Sequence, residues 1–263
     1  MKNIFKMVSL LVLVLFSFFY TDRVMNFINK KDPLMNKIDL LKDKYEILPV
    51  NAVLDSNTII PGVKGKSVDL DKSYENMKVS GIFREDYLVY NDILPSEMLS
   101  NNMDKYIIGG NTSSNRVSLL VITNYNNIDK INNNNITIFL NHKDVSINNI
   151  KKINKNSIYT YGNNGIYSEE ILDNDNTIIN RISKNKSIYC LSMDKNNDTL
   201  SICNKKKMYV VIPSIVGDYL DIKNNLTNGS IILLNDMNNL DIIVKYINSK
   251  GYMIVPLEEL LTE

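Results

Sequence analysis

The sequence has few histidine and cysteine side chains that could transfer protons or bind a metal at neutral pH, and they are widely spaced. The chain of 263 residues has a single histidine, His142, and two cysteines, Cys190 and Cys203. His142 lies in the polar stretch "FLNHKD", which is typical of a solvated turn residue. A metal site around an imidazole would need carboxylates close to it. The carboxylates considered for such a site are Asp129, Asp144, Asp173, Asp194 and Asp236.

Other patterns of catalytic residues are missing from the sequence. There is no Gly-x-Ser-x-Gly motif, and "IIGGN" lacks both the third glycine and the helix of a nucleotide-binding loop. The Asn-rich and Asp-rich loops do not have the spacing of a calcium-binding hand. With 30 basic and 29 acidic residues, the chain shows no charge pattern for binding nucleic acid.

Polar residues follow directly after apolar runs that have the character of strands. The stretch "GSIILLNDM" places Asn235 and Asp236 after a run of four apolar residues. If this run is a buried parallel strand, both side chains lie at the carboxyl edge of the sheet. Aromatic side chains near strand ends could stack on sugars, and the candidates are Tyr125, Tyr159, Tyr161, Tyr167, Tyr189 and Tyr219.

The elements that would position these residues form an alternating pattern from Arg116 onward. Polar stretches with helical spacing separate short apolar runs, and one of them carries an apolar stripe of Leu240, Ile243, Val244 and Ile247. Alternating strands and helices predict an α/β fold, either a small distorted barrel or a flavodoxin-like open sheet. The runs are "VSLLVIT", "ITIFL", "SIYTY", "SIYCL", "MYVVIPS", "GSIILL" and "YMIVPL".

The N-terminal segment has the character of a targeting signal. Lys2 and Lys6 precede an apolar run from Met7 to Tyr20, and no small residues form a cleavage site after it. We therefore expect an uncleaved single-pass signal anchor over residues 1–22 with the bulk of the chain outside the cell. A cleaved signal and a buried N-terminal helix are the alternatives. A helical linker over 23–50 and an irregular α+β extension over 51–115, packing on the barrel, would follow.

The two cysteines distinguish between two local structures. A hairpin would place Cys190 opposite Cys203, whereas a helix from Asn197 to Lys207 would separate them. Asp198 near the start and the lysines at the end favour the helix, because their charges complement its dipole. With one cysteine at a strand end and the other two turns into a helix, we expect no disulfide.

The C-terminal part of the chain resembles the polysaccharide deacetylase family, the NodB-type carbohydrate esterases. That family ends in a strand with Leu-His-Asp, then a helix, Lys-Gly-Tyr, a strand and a Leu-Glu-Leu-like finish. Here Leu234-Asn235-Asp236, Lys250-Gly251-Tyr252 and Leu257-Glu258-Glu259-Leu260 occupy those places. "NITIFLN" is similar to the family's second strand, and "YTYGNNGIYSEEI" to its segment with the metal-binding histidines. The resemblance covers residues 116–263, and residues 51–111 are similar to a presequence of clostridial members.

The resemblance implies a distorted (β/α) barrel and a metal-dependent site that this chain has lost. In the family an Asp and two His bind a divalent metal, a second Asp is the general base and a later His is the general acid. The Asp pair would fall at Ile122-Thr123-Asn124, and none of these is a carboxylate. Asn164 occupies the position of the first metal-binding His, and Tyr167 or Ser168 that of the second. The family's Arg-x-Pro-Tyr-like stretch is replaced by Leu191-Ser192-Met193-Asp194. Asn235 occupies the position of the general-acid His.

The degenerate motif positions are therefore Thr123, Asn124, Asn164, Ser168, Leu191, Asn235 and Asp236. These residues predict a membrane-anchored, extracytoplasmic, deacetylase-like protein with no cofactor and no catalysis. It would act by binding envelope glycan or an unidentified protein partner. The alternatives are an active carbohydrate deacetylase with a non-standard site and a purely structural envelope protein. If at least three of the candidate metal ligands, the five carboxylates named above and His142, lay within metal-binding reach of one another, the active enzyme would be favoured.

Overall fold

The structure, a computed structural model, describes residues 2–29, 31–153, 155–183 and 186–263. The α-helices in this part of the chain are α1 (Lys2–Asn29), α2 (Pro33–Leu41), α3 (Leu70–Met77), α4 (Ile147–Lys152), α5 (Glu169–Ile182), α6 (Asn197–Lys205), α7 (Tyr219–Asn225), α8 (Leu240–Ser249) and α9 (Leu257–Leu260). The strands are β1 (Val53–Asp55), β2 (Thr58–Ile60), β3 (Gly65–Val68), β4 (Tyr90–Ile93), β5 (Tyr106–Ile107), β6 (Arg116–Thr123), β7 (Thr137–Leu140), β8 (Ser157–Thr160), β9 (Tyr189–Leu191), β10 (Tyr209–Val211), β11 (Ile215–Gly217), β12 (Ile231–Leu234) and β13 (Met253–Ile254).

The chain divides into two compact units, residues 1–49 with 64–93 and residues 50–63 with 94–263. The expected extension over 51–115 is split between them, because β2 and β5 pair within the sheet of the larger unit. In the smaller unit α2 and α3 bury one apolar cluster that includes Ile38, Tyr74 and Met77. Asp32 caps α2 and accepts a hydrogen bond from the Tyr74 hydroxyl at 3.0 Å.

The larger unit contains two sheets. One has the order β1-β2-β5-β10-β9, and only its β1–β2 pair is antiparallel. The other has the order β11-β12-β6-β7-β8, with β13 also paired to β6, and all its pairs are parallel. All seven apolar runs form strands, and β12 is a buried inner strand as predicted. The α/β class is confirmed, whereas the strands form two sheets and a closed barrel is not confirmed.

Two apolar clusters hold the larger unit together. One cluster draws side chains from both sheets, including Leu120, Phe139, Tyr159, Leu191 and Leu233. The other lies between the parallel sheet and helices α4, α5, α7 and α8. The predicted stripe on α8 belongs to this second cluster, in which Leu240, Ile243 and Ile247 are buried and Val244 is partly buried.

The cysteine prediction is wrong in one respect. The helix exists as α6, and β9 is parallel to β10, so there is no hairpin. Cys190 and Cys203 nevertheless form a disulfide, with their Cα atoms 6.6 Å apart. A short loop after β9 lets α6 run back alongside the strand, so a residue two turns into the helix lies beside Cys190. Both cysteines are fully buried in a third cluster with Tyr106 and Val210.

The predicted membrane anchor is not supported by the structure. Residues 2–29 form the single helix α1, but no helix in the described part of the chain is long and apolar enough to cross a membrane.

We predict that Ile243→Ala lowers the free energy of unfolding by about 2–4 kcal/mol, because it leaves a cavity against the parallel sheet. Ile243 is 2% exposed, whereas the neighbouring Ile242 on α8 is 57% exposed. Ile242→Ala is therefore the matched control and should change the free energy by less than about 0.5 kcal/mol. Urea unfolding of both variants measures this, and equal losses would show that α8 is packed differently.

Candidate functional site

The parallel register brings the polar residues after four neighbouring strands to one edge of the sheet. Thr123 of β6 pairs with Leu140 of β7, and Leu140 pairs with Thr160 of β8. On the other side of β6, Leu234 of β12 pairs with Val121. The residues directly after β6, β7 and β12 and the loop after β8 therefore share the carboxyl edge. We call the amide side chains at this edge the amide rim: Asn124, Asn141, Asn164 and Asn235.

Asn164 is held by the backbone of its loop. It has a left-handed φ of +52° between Gly162 and Gly165, whose φ values are also positive. Its N–H donates to Asn141 Oδ1 at 3.2 Å, which joins the loop after β8 to the end of β7. The exposed amide of Asn164 thus lies beside Asn141. An amide oxygen is a weak zinc ligand compared with an imidazole.

Asn235 and Asp236 begin the turn between β12 and α8. The backbone N–H of Asn235 donates to the Gly217 carbonyl at 3.2 Å, and its side chain is exposed. Asp236 Oδ1 accepts from the N–H of Asn238 at 2.8 Å. Asp236 therefore stabilises the turn, and Asn235 offers its neutral amide to solvent.

The remaining motif positions have structural roles. Thr123 is buried and its hydroxyl donates to the Asn124 carbonyl at 3.3 Å. Ser168 is the N-cap of α5 and accepts from the N–H of Ile171 at 3.2 Å. Leu191 is buried, and its backbone N–H and carbonyl both bond the Tyr167 hydroxyl at 3.0 Å. None of these side chains is a carboxylate or an imidazole.

His142 is exposed in a short turn, as the sequence predicts, but its imidazole also has a buried partner. Its Nδ1 lies 2.7 Å from Asp175 Oδ1, and the Asp175 side chain is only 2% exposed. The second carboxylate oxygen of Asp175 accepts from the Thr160 hydroxyl. Sequence reasoning missed Asp175, although it lies on the buried stripe of α5 with Leu172 and Ile179. A carboxylate at helical spacing between buried apolar residues is the signal that points to a buried polar partner.

Two of the other carboxylates considered for a metal site pair with lysines, whereas Asp144 lies in the same short turn as His142. Asp129 is 3.8 Å from Lys152, and Asp173 pairs with Lys206 at 2.8 Å. Within the described ranges, no group of three or more His, Cys, Asp and Glu side chains could hold a metal ion. The family's metal does not fit the residues at the motif positions, because they supply amides and a hydroxyl that already caps a helix.

Three of the six tyrosines proposed to stack on sugars are buried. Tyr159, Tyr167 and Tyr189 are at most 5% exposed, and Tyr219 packs edge-on against Tyr246. Burial raises the pKa of Tyr167 and keeps its hydroxyl a neutral bridge to β9. Of those described, Tyr161 at the edge of β8 is partly buried and lies next to the amide rim. The Tyr125 side chain lies outside the described part.

Comparison with known proteins identifies the fold. No family model matches the sequence. The uncharacterized protein YlxY of Bacillus subtilis (strain 168) is 37% identical over 92 residues, which are 35% of this chain and 29% of YlxY.

Two solved structures match over most of the chain. Wild-type BA3943 from Bacillus anthracis, described as a CE4 family pseudoenzyme, aligns with a TM-score of 0.63 and 21% identity over 89% of this chain and 96% of its own. A BA3943 mutant described as having restored enzymatic activity aligns with a TM-score of 0.64 and 21% identity, over 88% of this chain and 99% of its own. This chain therefore has the fold of the family 4 carbohydrate esterases, the polysaccharide deacetylase fold that its C-terminal motifs predict.

Proposed function

We propose that this chain is a catalytically inactive deacetylase-like protein that binds an uncharged cell-envelope glycan at the amide rim. The observation that carries the proposal is that amides stand at Asn124, Asn164 and Asn235, where the fold's chemistry needs carboxylates and imidazoles. A neutral amide neither transfers a proton at these positions nor replaces an imidazole ligand. It can both donate and accept hydrogen bonds, which is what sugar hydroxyls and acetamido groups require.

The structural neighbours support an inactive protein of this fold. BA3943 is described as a pseudoenzyme, and its mutant as one with restored activity. In that protein, therefore, the fold and the activity are separable. The apolar clusters of the present chain likewise pack without any metal ligand, because their members are hydrocarbon and aromatic side chains.

We also propose an extracytoplasmic location with α1 holding the protein at the membrane. Lys2 and Lys6 followed by the apolar run Met7–Tyr20 fit an export signal. Apolar side chains of α1 such as Leu10, Leu13 and Phe16 are exposed in the structure. The Cys190–Cys203 disulfide gives independent support, because such bonds persist in oxidising compartments and are rare in the cytosol.

The first prediction from this proposal is that the purified chain releases no acetate from acetylated chitooligosaccharides. Zinc, cobalt and manganese should not change this, because the positions that would bind them hold amides and a capping serine. Acetate detection with and without a chelator measures it, with an active deacetylase of the same fold as the positive control. Acetate release that a chelator abolishes would establish the alternative, an active enzyme with a non-standard site.

The second prediction concerns the glycan. Removing two rim amides with Asn164→Gly and Asn235→Ala should weaken binding of N-acetylated chitotetraose about fivefold or more, since each lost hydrogen bond contributes roughly 0.5–1.5 kcal/mol. Glycine suits the left-handed backbone at position 164. Titration calorimetry measures the affinity, and Asn248→Ala on the exposed face of α8 is the control. Unchanged affinity in the double variant would remove the rim as the binding site.

The third prediction concerns location. In intact cells the chain should be cleaved by added protease and should be recovered with the membrane fraction. Cys190 and Cys203 should be oxidised, so that thiol labelling of the denatured protein requires prior reduction. Free thiols together with protection from protease would place the chain in the cytosol and contradict the proposal.

A further inference from the structure

His142 is the only histidine of the chain, and it lies where the amide rim meets a buried carboxylate. The His142 side chain is 43% exposed, whereas the Asp175 side chain behind it is 2% exposed. The imidazole therefore has one nitrogen against the protein interior and an outer part in contact with solvent. A residue needed only to satisfy Asp175 would not need this exposed ring face.

A series of hydrogen bonds connects the imidazole and the backbone of His142 to the end of β8. Asp175 Oδ2 accepts from the Thr160 hydroxyl, and the Thr160 oxygen accepts from the N–H of Gly162 at 2.9 Å. The Gly162 carbonyl in turn accepts from the backbone N–H of His142 at 2.7 Å. The bonds thus connect α5, the end of β8 and the turn after β7 in one closed ring.

The carboxylate also fixes the tautomer of the ring. An ionised carboxylate only accepts hydrogen bonds, so Nδ1 must carry the proton that lies between His142 and Asp175. In the neutral imidazole Nε2 is then an acceptor without a proton. The backbone amide of Asn164 bonds the side chain of Asn141, the residue before His142, so His142 directly follows a residue of the rim in the chain.

We propose that His142 Nε2 accepts a hydrogen bond from a hydroxyl or amide N–H of a sugar bound at the amide rim. Asp175 is the positioning residue that fixes the tautomer of His142. This inference rests on the proposed function. The rim amides can each present either an oxygen or an N–H, so they do not by themselves select the polarity of a ligand group. A tautomer-fixed imidazole presents a single acceptor and supplies that selection.

The test uses nitrogen NMR of the full chain. Because the chain has a single histidine, the Nδ1 and Nε2 imidazole signals can be assigned to His142 without ambiguity. We expect the Nδ1–H tautomer, and a shift of the Nε2 resonance when N-acetylated chitotetraose is added. His142→Leu, which has no hydrogen-bond acceptor, should weaken binding about fivefold, the effect of one lost hydrogen bond. Asp175→Asn should change the tautomer populations and weaken binding. Asp173→Asn, on the exposed side of the same helix, should change neither.

Each outcome decides the inference. If chitotetraose binds but the Nε2 resonance does not move and His142→Leu binds as tightly as the native chain, the inference is wrong and the proposed function stands. An Nε2–H tautomer would also overturn it. If chitotetraose does not bind the native chain at all, the proposed function fails and the inference fails with it. Should His142→Leu not fold, the ligand-induced shift in the native chain decides alone.

Discussion

The buried carboxylate of Asp175 is the constraint on which this edge of the protein depends. A carboxylate that is 2% exposed is stable only if hydrogen-bond donors replace the water it has lost. His142 and Thr160 are those donors, and they come from the ends of β7 and β8. These hydrogen bonds connect the glycine-rich turn that contains Asn164 to the end of the neighbouring strand. The geometry of the amide rim thus follows from the partners of one buried side chain.

The packing of the rest of the fold does not depend on the polar residues at the strand ends. The parallel sheet packs on its helices through aliphatic side chains, and another apolar cluster joins both sheets through residues such as Phe139 and Tyr159. Glu258 of α9 accepts hydrogen bonds from Ser157 and Tyr159 and secures the opposite end of β8. Replacing metal ligands by amides removes no apolar contact from these clusters. A deacetylase fold can therefore persist after its acid–base residues have changed.

The strands and helices were predictable where burial imposes a regular pattern of apolar residues on the sequence. The apolar runs and the stripe on α8 are direct consequences of packing on both faces of a sheet. Other features depend on tertiary contacts that no local pattern reveals. The strand β11 is too short and too close to Pro213 to be recognised, and the disulfide depends on how α6 folds back on β9. The partner of His142 lies 33 residues away, on another element.

The central claim is that a glycan binds at the amide rim and needs no metal there. The most direct test measures the shifts of backbone and side-chain amide NMR resonances when N-acetylated chitotetraose is added. The buffer is treated to remove metals. We expect the largest shifts at the side-chain amides of Asn124, Asn141, Asn164 and Asn235, with little change around Glu258 at the opposite end of β8. Shifts confined to other surfaces, or shifts that appear only after a divalent metal is added, would contradict the account.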